Sequence, residues 1–434
     1  MNMGIFTEAK WEADPTLPGR SNRRGGSYWY YLPDRLTTLQ VSISPQLSEE
    51  IAAVERRVLG LAQADGITEL EDLSRFLLRS EAIASSQIEG IAPAAKQVAL
   101  AEIGEAEDIR GISDAAKLVA RNMTVVREAS DRLARSQSVT VTDLEQLQRA
   151  LLGAEHPAVG IRTVQNWVGT SNYHPIPIGA EYVPPAPGLV PNLLEDLLSY
   201  LNGATHGPLV QAALVHAQFE SIHPFVDGNG RVGRALIHTV LTRRGLTSSR
   251  LLPVSLVLAT FREQYVAALN DLRFEGSPES PENARRIAEW IKLFSRAVDE
   301  AVTQAEDLRA QLLLLAEQWR GQLEAFRAAN NYTRALRSDS GVARILGRLA
   351  GTPVLTVKTA SQIYGLSVQN ASEALTQLAD AGIFFTRSIA RGTTAFIANE
   401  VLDLVTLSER QPASTQFDTR VSKPVRQVPR FPRS

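Results

Sequence analysis

Apolar residues recur at helical spacing along most of this chain, and glycine and proline cut the runs. Ile51, Val54, Val58 and Leu61 line one face of a helix predicted over 48–64, and a second helix runs from Leu73 to Gly90. Ile109 to Val126 is amphipathic, and Val141-Thr142-Asp143 caps a helix carrying Leu144, Leu147 and Leu151. Pro191 to Leu201 leads into Leu209 to Glu220, where Val210, Leu214, Ala217 and Phe219 keep near a 3.6-residue period. Pro224 ends that helix, because proline disfavours helical dihedrals at the residue before it. Another helix has Val232, Leu236 and Val240 as its stripe. Glu263 to Phe274 follows, with Tyr265, Leu269 and Leu272 spaced for burial. One or two long helices over 283–328 carry Ile287, Ile291, Phe294, Val298 and Leu308.

The texture changes in two places. Residues 160–169 alternate like a strand, 170–181 are rich in Pro, Gly, Ser and Asn, and Glu181-Tyr182-Val183 precedes Pro184-Pro185. That reads as a β-hairpin from Thr163 to Pro184. From about Thr333 to Leu407 the pattern is a helix over 341–349, a Thr356-capped helix over 357–364 and a Gly365 turn. A Ser367-capped helix then reaches Ala381, and strands follow at Ile383–Arg387 and Thr393–Ile397. Helix, turn, helix and two-stranded wing predict a winged helix. Residues 1–27 read as a polar mobile arm, and the aromatic run Tyr28 to Pro33 as a cluster packed on a core. Residues 411–434 hold five Lys and Arg against Asp418, a net +4, and read as a disordered basic tail.

Composition narrows the class. The 434 residues, 44% hydrophobic and 21% charged, allow two or three domains with real cores. With 45 basic and 47 acidic side chains the net charge is −2, which excludes a polybasic nucleic-acid binder. The absence of cysteine excludes disulfides, thiolate zinc sites and cysteine nucleophiles. No apolar leader and no run near ~18 apolar residues occurs, so no membrane role and a cytoplasmic location are expected.

Chemistry concentrates in His223-Pro-Phe-Val-Asp-Gly-Asn-Gly-Arg-Val-Gly-Arg234. Asp227-Gly228-Asn229-Gly230 can turn tightly with several N–H groups aimed one way. Arg231 and Arg234, three apart, share a face near the first turn of the next helix. Together these make an anion site, Asp227 offers a hard oxygen for Mg²⁺, and His223 is the candidate base in the loop. Gly228, Gly230 and Gly233 also match G-x-G-x-x-G. That dinucleotide fingerprint needs a preceding strand and an acidic residue ~20 positions on, where Pro253 stands instead. A plain capped turn between helices would explain Asp227 and Gly228 but not a His and two Arg at these spacings.

The segment resembles the Fic family signature, H-P-F-x-[DE]-G-N-G-R-x-x-R, at every fixed position. The resemblance implies a mainly α fold, a Fic-type helical bundle with a small β-hairpin flap, here followed by a C-terminal winged helix. It implies transfer of AMP from ATP to a hydroxyl side chain (Ser, Thr or Tyr) of a target protein or of the chain itself. His223 is then the base, Asp227 the Mg²⁺ ligand, Gly228, Asn229 and Gly230 the anion hole, and Arg231 and Arg234 the phosphate contacts. Tyr265 is placed near the nucleotide base, and the flap docks the target by adding a strand. Gly230 argues against the phosphorylating Doc branch, which has lysine there. Upstream, Ser85-Ser-Gln-Ile-Glu89-Gly90 is similar to the family's inhibitory signature [ST]-x-x-x-E-[GN], in which Glu89 pairs with Arg234. The domains expected are an inhibitory helical region over 1–110, the catalytic core over 111–330, the winged helix over 331–410 and the tail over 411–434.

Two other readings remain open. One is removal of AMP, with Glu89 positioning a water. The other is a nucleotide-sensing, DNA-binding transcriptional regulator. The third helix of the C-terminal module has no Lys or Arg and carries Glu373 and Asp380, so protein contact competes with DNA as its use. Family members often dimerise, which leaves a homodimer open.

Overall fold

The computed structural model describes residues 4–17, 23–63, 67–104, 109, 111–153, 156–169, 176–247 and 252–408. The expected N-terminal arm is partly sheet. Strand β1 (Ile5–Trp11) pairs antiparallel with β2 (Gly26–Leu32), Ile5 opposite Leu32 and Trp11 opposite Gly26. Aromatic packing accounts for it: Phe6 and Tyr31 rings lie 5.1 Å apart, and Tyr31 is buried. Trp29, two positions from Tyr31, is 57% exposed, so the aromatic run packs on the core only in part.

Helices α1 (Pro45–Gln63), α2 (Ile67–Ile88), α3 (Ala95–Gly104), α4 (Asp114–Arg135) and α5 (Val141–Leu152) follow. The cap of α5 is Thr140, in a reciprocal box with Asp143, so Val141 is already inside the helix. The hairpin expected over Thr163–Pro184 is reduced, among the described residues, to one antiparallel bridge between Val168 and Tyr182. Pro177, Pro184 and Pro185 bring no N–H to a ladder, which limits pairing there. Residues 170–175 of that segment lie outside the described residues, as does the basic tail over 411–434.

Next come α6 (Val190–Asn202), α7 (Pro208–Ile222), α8 (Asn229–Arg243), α9 (Val254–Thr260) and α10 (Arg262–Asp271). The segment after them is one helix, α11 (Pro281–Ala329), of 49 residues and so about 70 Å long. The C-terminal unit runs α12 (Gly341–Leu346), β3 (Val354–Leu355), α13 (Val357–Tyr364), α14 (Val368–Asp380), β4 (Phe385–Ala390), β5 (Thr393–Ile397) and α15 (Asn399–Ser408). Its sheet order is β3-β5-β4, antiparallel throughout. β4 starts two residues later than the pattern suggests, because Ile383 and Phe384 are drawn into the core.

The architecture is mainly helical, with two small antiparallel sheets among the described residues. One core joins α1 and α5 to α10 with the first half of α11, where Trp290 is buried and donates its Nε1–H to the Ala213 carbonyl at 2.9 Å. A second core joins α2, α3 and α4 to the later part of α11 and to the C-terminal unit. α4, beyond the boundary expected at 110, packs on both α2 and α8. No helix among the described residues is long and apolar enough to cross a membrane.

Candidate active site

α7 is buried along its whole length, and its end is where the site begins. The chain leaves it through His223, which donates its N–H to the Phe219 carbonyl at 2.9 Å and takes φ +49°, ψ +60°. That left-handed conformation costs a residue with a Cβ roughly 1–3 kcal/mol, so surrounding contacts must hold it. Arg162 supplies them. Its guanidinium is buried and donates to the carbonyls of His223 (2.8 Å), Ile222 (3.4 Å), Val164 (3.3 Å) and Pro185. The imidazole Nδ1 lies 3.8 Å from Glu220 Oε2. Burial, then the charges of Arg273 and Arg162, push the His223 pKa down to about 4 against the pull of Glu89. The ring is therefore neutral near pH 7 and able to accept a proton.

The loop after His223 is braced by its own amide. Asn229 Oδ1 accepts the Phe225 N–H at 2.9 Å, and Asn229 Nδ2 donates to the Phe225 carbonyl at 2.8 Å. Asn166 donates to that carbonyl as well, and Gln148 donates to the Asp227 carbonyl. Gly228 sits at φ +85° and starts α8, a conformation that glycine reaches without strain. The first N–H groups of α8 have no intrahelical partner, so residues 229–231 present donors at a positive helix end. Arg231 is buried, with Nε and Nη1 unbonded and Nη2 3.6 Å from Asp227 Oδ1. Unbonded buried guanidinium donors are costly and fit an anion. The Asp227 side chain is half exposed; its Oδ1 accepts the Gly228 N–H at 2.6 Å, and its Oδ2 lies 3.7 Å from His156 Nε2.

The end of α2 reaches into the same space. Gly90 takes φ +80°, its N–H bonds to the Gln87 carbonyl, and the Ile91 N–H bonds to the Ser86 carbonyl. This Schellman pattern fixes Glu89 as the last residue of the turn. Arg234 is buried and donates to Glu89 Oε1 (2.9 Å), Ser85 Oγ (2.8 Å) and the Ser85 carbonyl (2.7 Å). Burial opposes the Glu89 charge, yet Arg234, His223 and Arg231 hold its carboxyl below the usual range. A Cβ on Gly230 would stand 1.9 Å from Glu89 Oε1, so only glycine fits that position while Glu89 is in place.

His223, Asp227, Gly228, Asn229, Gly230, Arg231 and Arg234 thus converge with Ser85, Glu89 and Gly90. Tyr265 lines a cleft together with Phe261, Gln264 and Trp290. It is buried, hydrogen-bonded to His216 Nε2 at 2.8 Å, and faces the Arg234 charge from the core. Its geometry is that of a support beneath Arg234. Sequence reasoning missed Arg162, Gln148 and Asn166, single residues with no local pattern. It also missed Glu81, a buried carboxylate on α2 accepting from the Ser255 N–H (2.8 Å) and paired with His238 (2.7 Å). The spacing of 81, 85 and 89 along one face of α2 was its only sequence signal.

Residues 138–241 match the Fic/DOC family. A probable protein adenylyltransferase of Aquifex aeolicus is 29% identical over 171 residues, covering 39% of this chain and 48% of its own length. Protein adenylyltransferase fic-1 of Caenorhabditis elegans is 32% identical over 140 residues, 31% of this chain and 25% of its own. The chain spans less than half the length of these curated relatives. A solved Fic family protein from Desulfovibrio desulfuricans G20 superposes with a TM-score of 0.49 at 20% identity, over 82% of this chain and 98% of its own.

Proposed function

We propose, from the premise that residues 138–241 are a Fic/DOC-family domain, that this protein transfers AMP from ATP to a hydroxyl side chain of a target protein and is restrained by its own Glu89. The observation that carries the reading is the convergence, at one helix N-terminus, of a neutral imidazole, an Arg231 with two unbonded nitrogens and an Arg234 held by the carboxylate that follows the end of α2.

The reaction follows from these groups. A Ser, Thr or Tyr hydroxyl gives its proton to His223, through the ring nitrogen opposite the one facing Glu220. Its oxygen attacks the α-phosphorus, the bond to the bridging oxygen breaks, and pyrophosphate departs. Arg231, Arg234 and the N–H groups of 229–231 are aimed at the charge that builds on the phosphates. Mg²⁺ suits this site in that the half-exposed Asp227 carboxylate supplies one hard oxygen. Mg²⁺ commonly takes one or two carboxylates and completes its shell with phosphate and water, and bound there it would neutralise phosphate charge. Tyr265, beside Arg234 and lining a cleft, is read as lying near the nucleotide base and supporting Arg234.

Glu89 restrains the enzyme by occupying the guanidinium that a γ-phosphate needs. Each tenfold of restraint requires only about 1.4 kcal/mol, which a buried Arg with a charged acceptor supplies readily. We read the C-terminal unit as a winged helix that contacts protein, since α14 carries no Lys or Arg and Val368 at its start is 65% exposed.

Labelling with α-³²P-ATP and Mg²⁺ tests the reading. His223→Ala should abolish incorporation and Glu89→Gly should raise it at least tenfold, with intact mass increasing by one adenylyl unit. Unchanged incorporation in Glu89→Gly overturns the brake, and label surviving in His223→Ala overturns the base. A second reading is removal of AMP, with Glu89, at the mouth of the same site, holding a water. Release of AMP from a modified target by the unaltered protein would mark it.

A further inference from the structure

Arg162 presents a cation with no ion-pair partner among the described residues, yet it is only 2% exposed. Burying a guanidinium is expensive, and here burial pulls its pKa down to about 10. A fold that needed only volume at this position could use Met or Leu. What offsets the cost is a ring of carbonyls. Two belong to Ile222 and His223 at the C-terminus of α7, where a positive charge is favoured by the helix dipole. The other two belong to Val164 and Pro185, one on each arm of the segment bridged at Val168 and Tyr182. The Arg162 N–H adds a bond to the Pro224 carbonyl at 2.9 Å.

We infer that Arg162 is the positioning residue for the base: its planar fork ties both arms of the flap to the end of α7 and holds His223 in its left-handed conformation. The inference rests on the adenylyl-transfer reading, in which the target hydroxyl arrives along the flap. One side chain then sets the distance between nucleophile and base. Lysine keeps the charge but has no fork, so it cannot meet four carbonyls in these directions. The charge has a second effect. The groups acting on the His223 ring are Arg162 and Arg273, which disfavour protonation, and Glu89, which favours it. Glu220 lies 3.8 Å away. Removing the Arg162 side chain raises the imidazole pKa, through both its charge and the burial it provides, whereas Arg162→Lys keeps the charge and leaves it in place.

The test compares Arg162→Lys and Arg162→Ala in the full chain carrying Glu89→Gly. Arg162→Lys should bind ATP with unchanged affinity by calorimetry, because Arg231, Arg234 and the α8 N-terminus are untouched. Its kcat should fall about 100-fold, the cost of an ångström-scale misplacement, with the acid limb of kcat/KM left in place. Arg162→Ala should lose kcat likewise and move that limb to higher pH, with millimolar guanidinium restoring part of the rate. Parental kcat in Arg162→Lys, or an unmoved acid limb in Arg162→Ala, overturns the inference. If Arg162→Ala does not fold, the kcat of Arg162→Lys decides alone. If the Glu89→Gly parent transfers no AMP, the activity reading fails separately. Titration of the six ¹⁵N-labelled histidines by NMR then decides for Arg162, an upward shift of His223 in Arg162→Ala supporting it and no shift overturning it.

Discussion

His216 shows how one buried side chain ties the active site to stability. It lies two turns before His223, is fully buried between Tyr265 and Trp290, and hydrogen-bonds the Tyr265 hydroxyl. Burial pushes its pKa down to about 3. In the unfolded chain the same ring titrates near ~6.5. Below that pH the unfolded state takes up a proton that the folded state refuses. The stability His216 contributes is therefore whole above ~6.5 and falls as pH drops toward 3, at about 1.4 kcal/mol per unit. His216→Gln should flatten the pH dependence of unfolding free energy between pH 6 and 4.5 by about that slope, read by urea titration of tryptophan fluorescence. An unchanged slope would show that the ring is protonated in the folded state. At this scale the sequence was most legible where residues are contiguous. The twelve from His223 to Arg234 and the end of α2 announce themselves by type and spacing. Arg162, Gln148 and Asn166 do not, because each brings a single hydrogen-bonding group to a loop that lies far away in sequence.

Among the elements, α2 carries the residue proposed to restrain the site. It is pinned at two levels on its face toward α8: Glu81 to His238 and Ser255, then Ser85 and Glu89 to Arg234. His238 and Arg234 are one helical turn apart, as are Glu81 and Ser85, so two helices lie against each other in matched steps. Glu81→Ala would strand the buried His238 and the Ser255 N–H, costing about 1–3 kcal/mol. The loss should lower the melting temperature and, by loosening α2, raise basal AMP transfer in a chain that still has Glu89. A lower melting temperature with no rise in transfer would show that the Glu89 end is held independently of Glu81. Periodicity located α2 and nearly every other helix, since their apolar stripes are sustained. It overstated the hairpin, because alternation over 160–169 signals extended chain whether or not a partner strand offers N–H groups. It also missed β1, where polar and apolar residues alternate only briefly and the aromatic partners lie some twenty residues on.

At the scale of the molecule, the C-terminal unit packs against α2, the helix that leads to Glu89. Phe76, Leu77 and Ile83 of α2 share a core with Leu355, Val401 and Val405 of that unit, and α11 continues from this core into the one beneath the active site. The polar link between them is Arg79, which is 1% exposed. It donates to both oxygens of Glu102 on α3, at 2.6 and 2.9 Å, and to the Gly351 carbonyl at 3.3 Å. Arg79 lies ten residues before Glu89, which follows directly on the end of α2, so under the proposed brake a shift of the unit at Gly351 would be carried along α2 to Arg234. Arg79→Met preserves bulk and removes the link. It should leave ATP affinity intact in a Glu89→Gly background, where no brake remains to release. In the chain with Glu89 it should raise basal transfer severalfold, and the two substitutions together should give no more than Glu89→Gly alone. That non-additivity is the signature of two changes acting on one element. Additive rates would mean that the C-terminal unit touches α2 without bearing on the brake, and that whatever binds the unit cannot switch the enzyme through this helix.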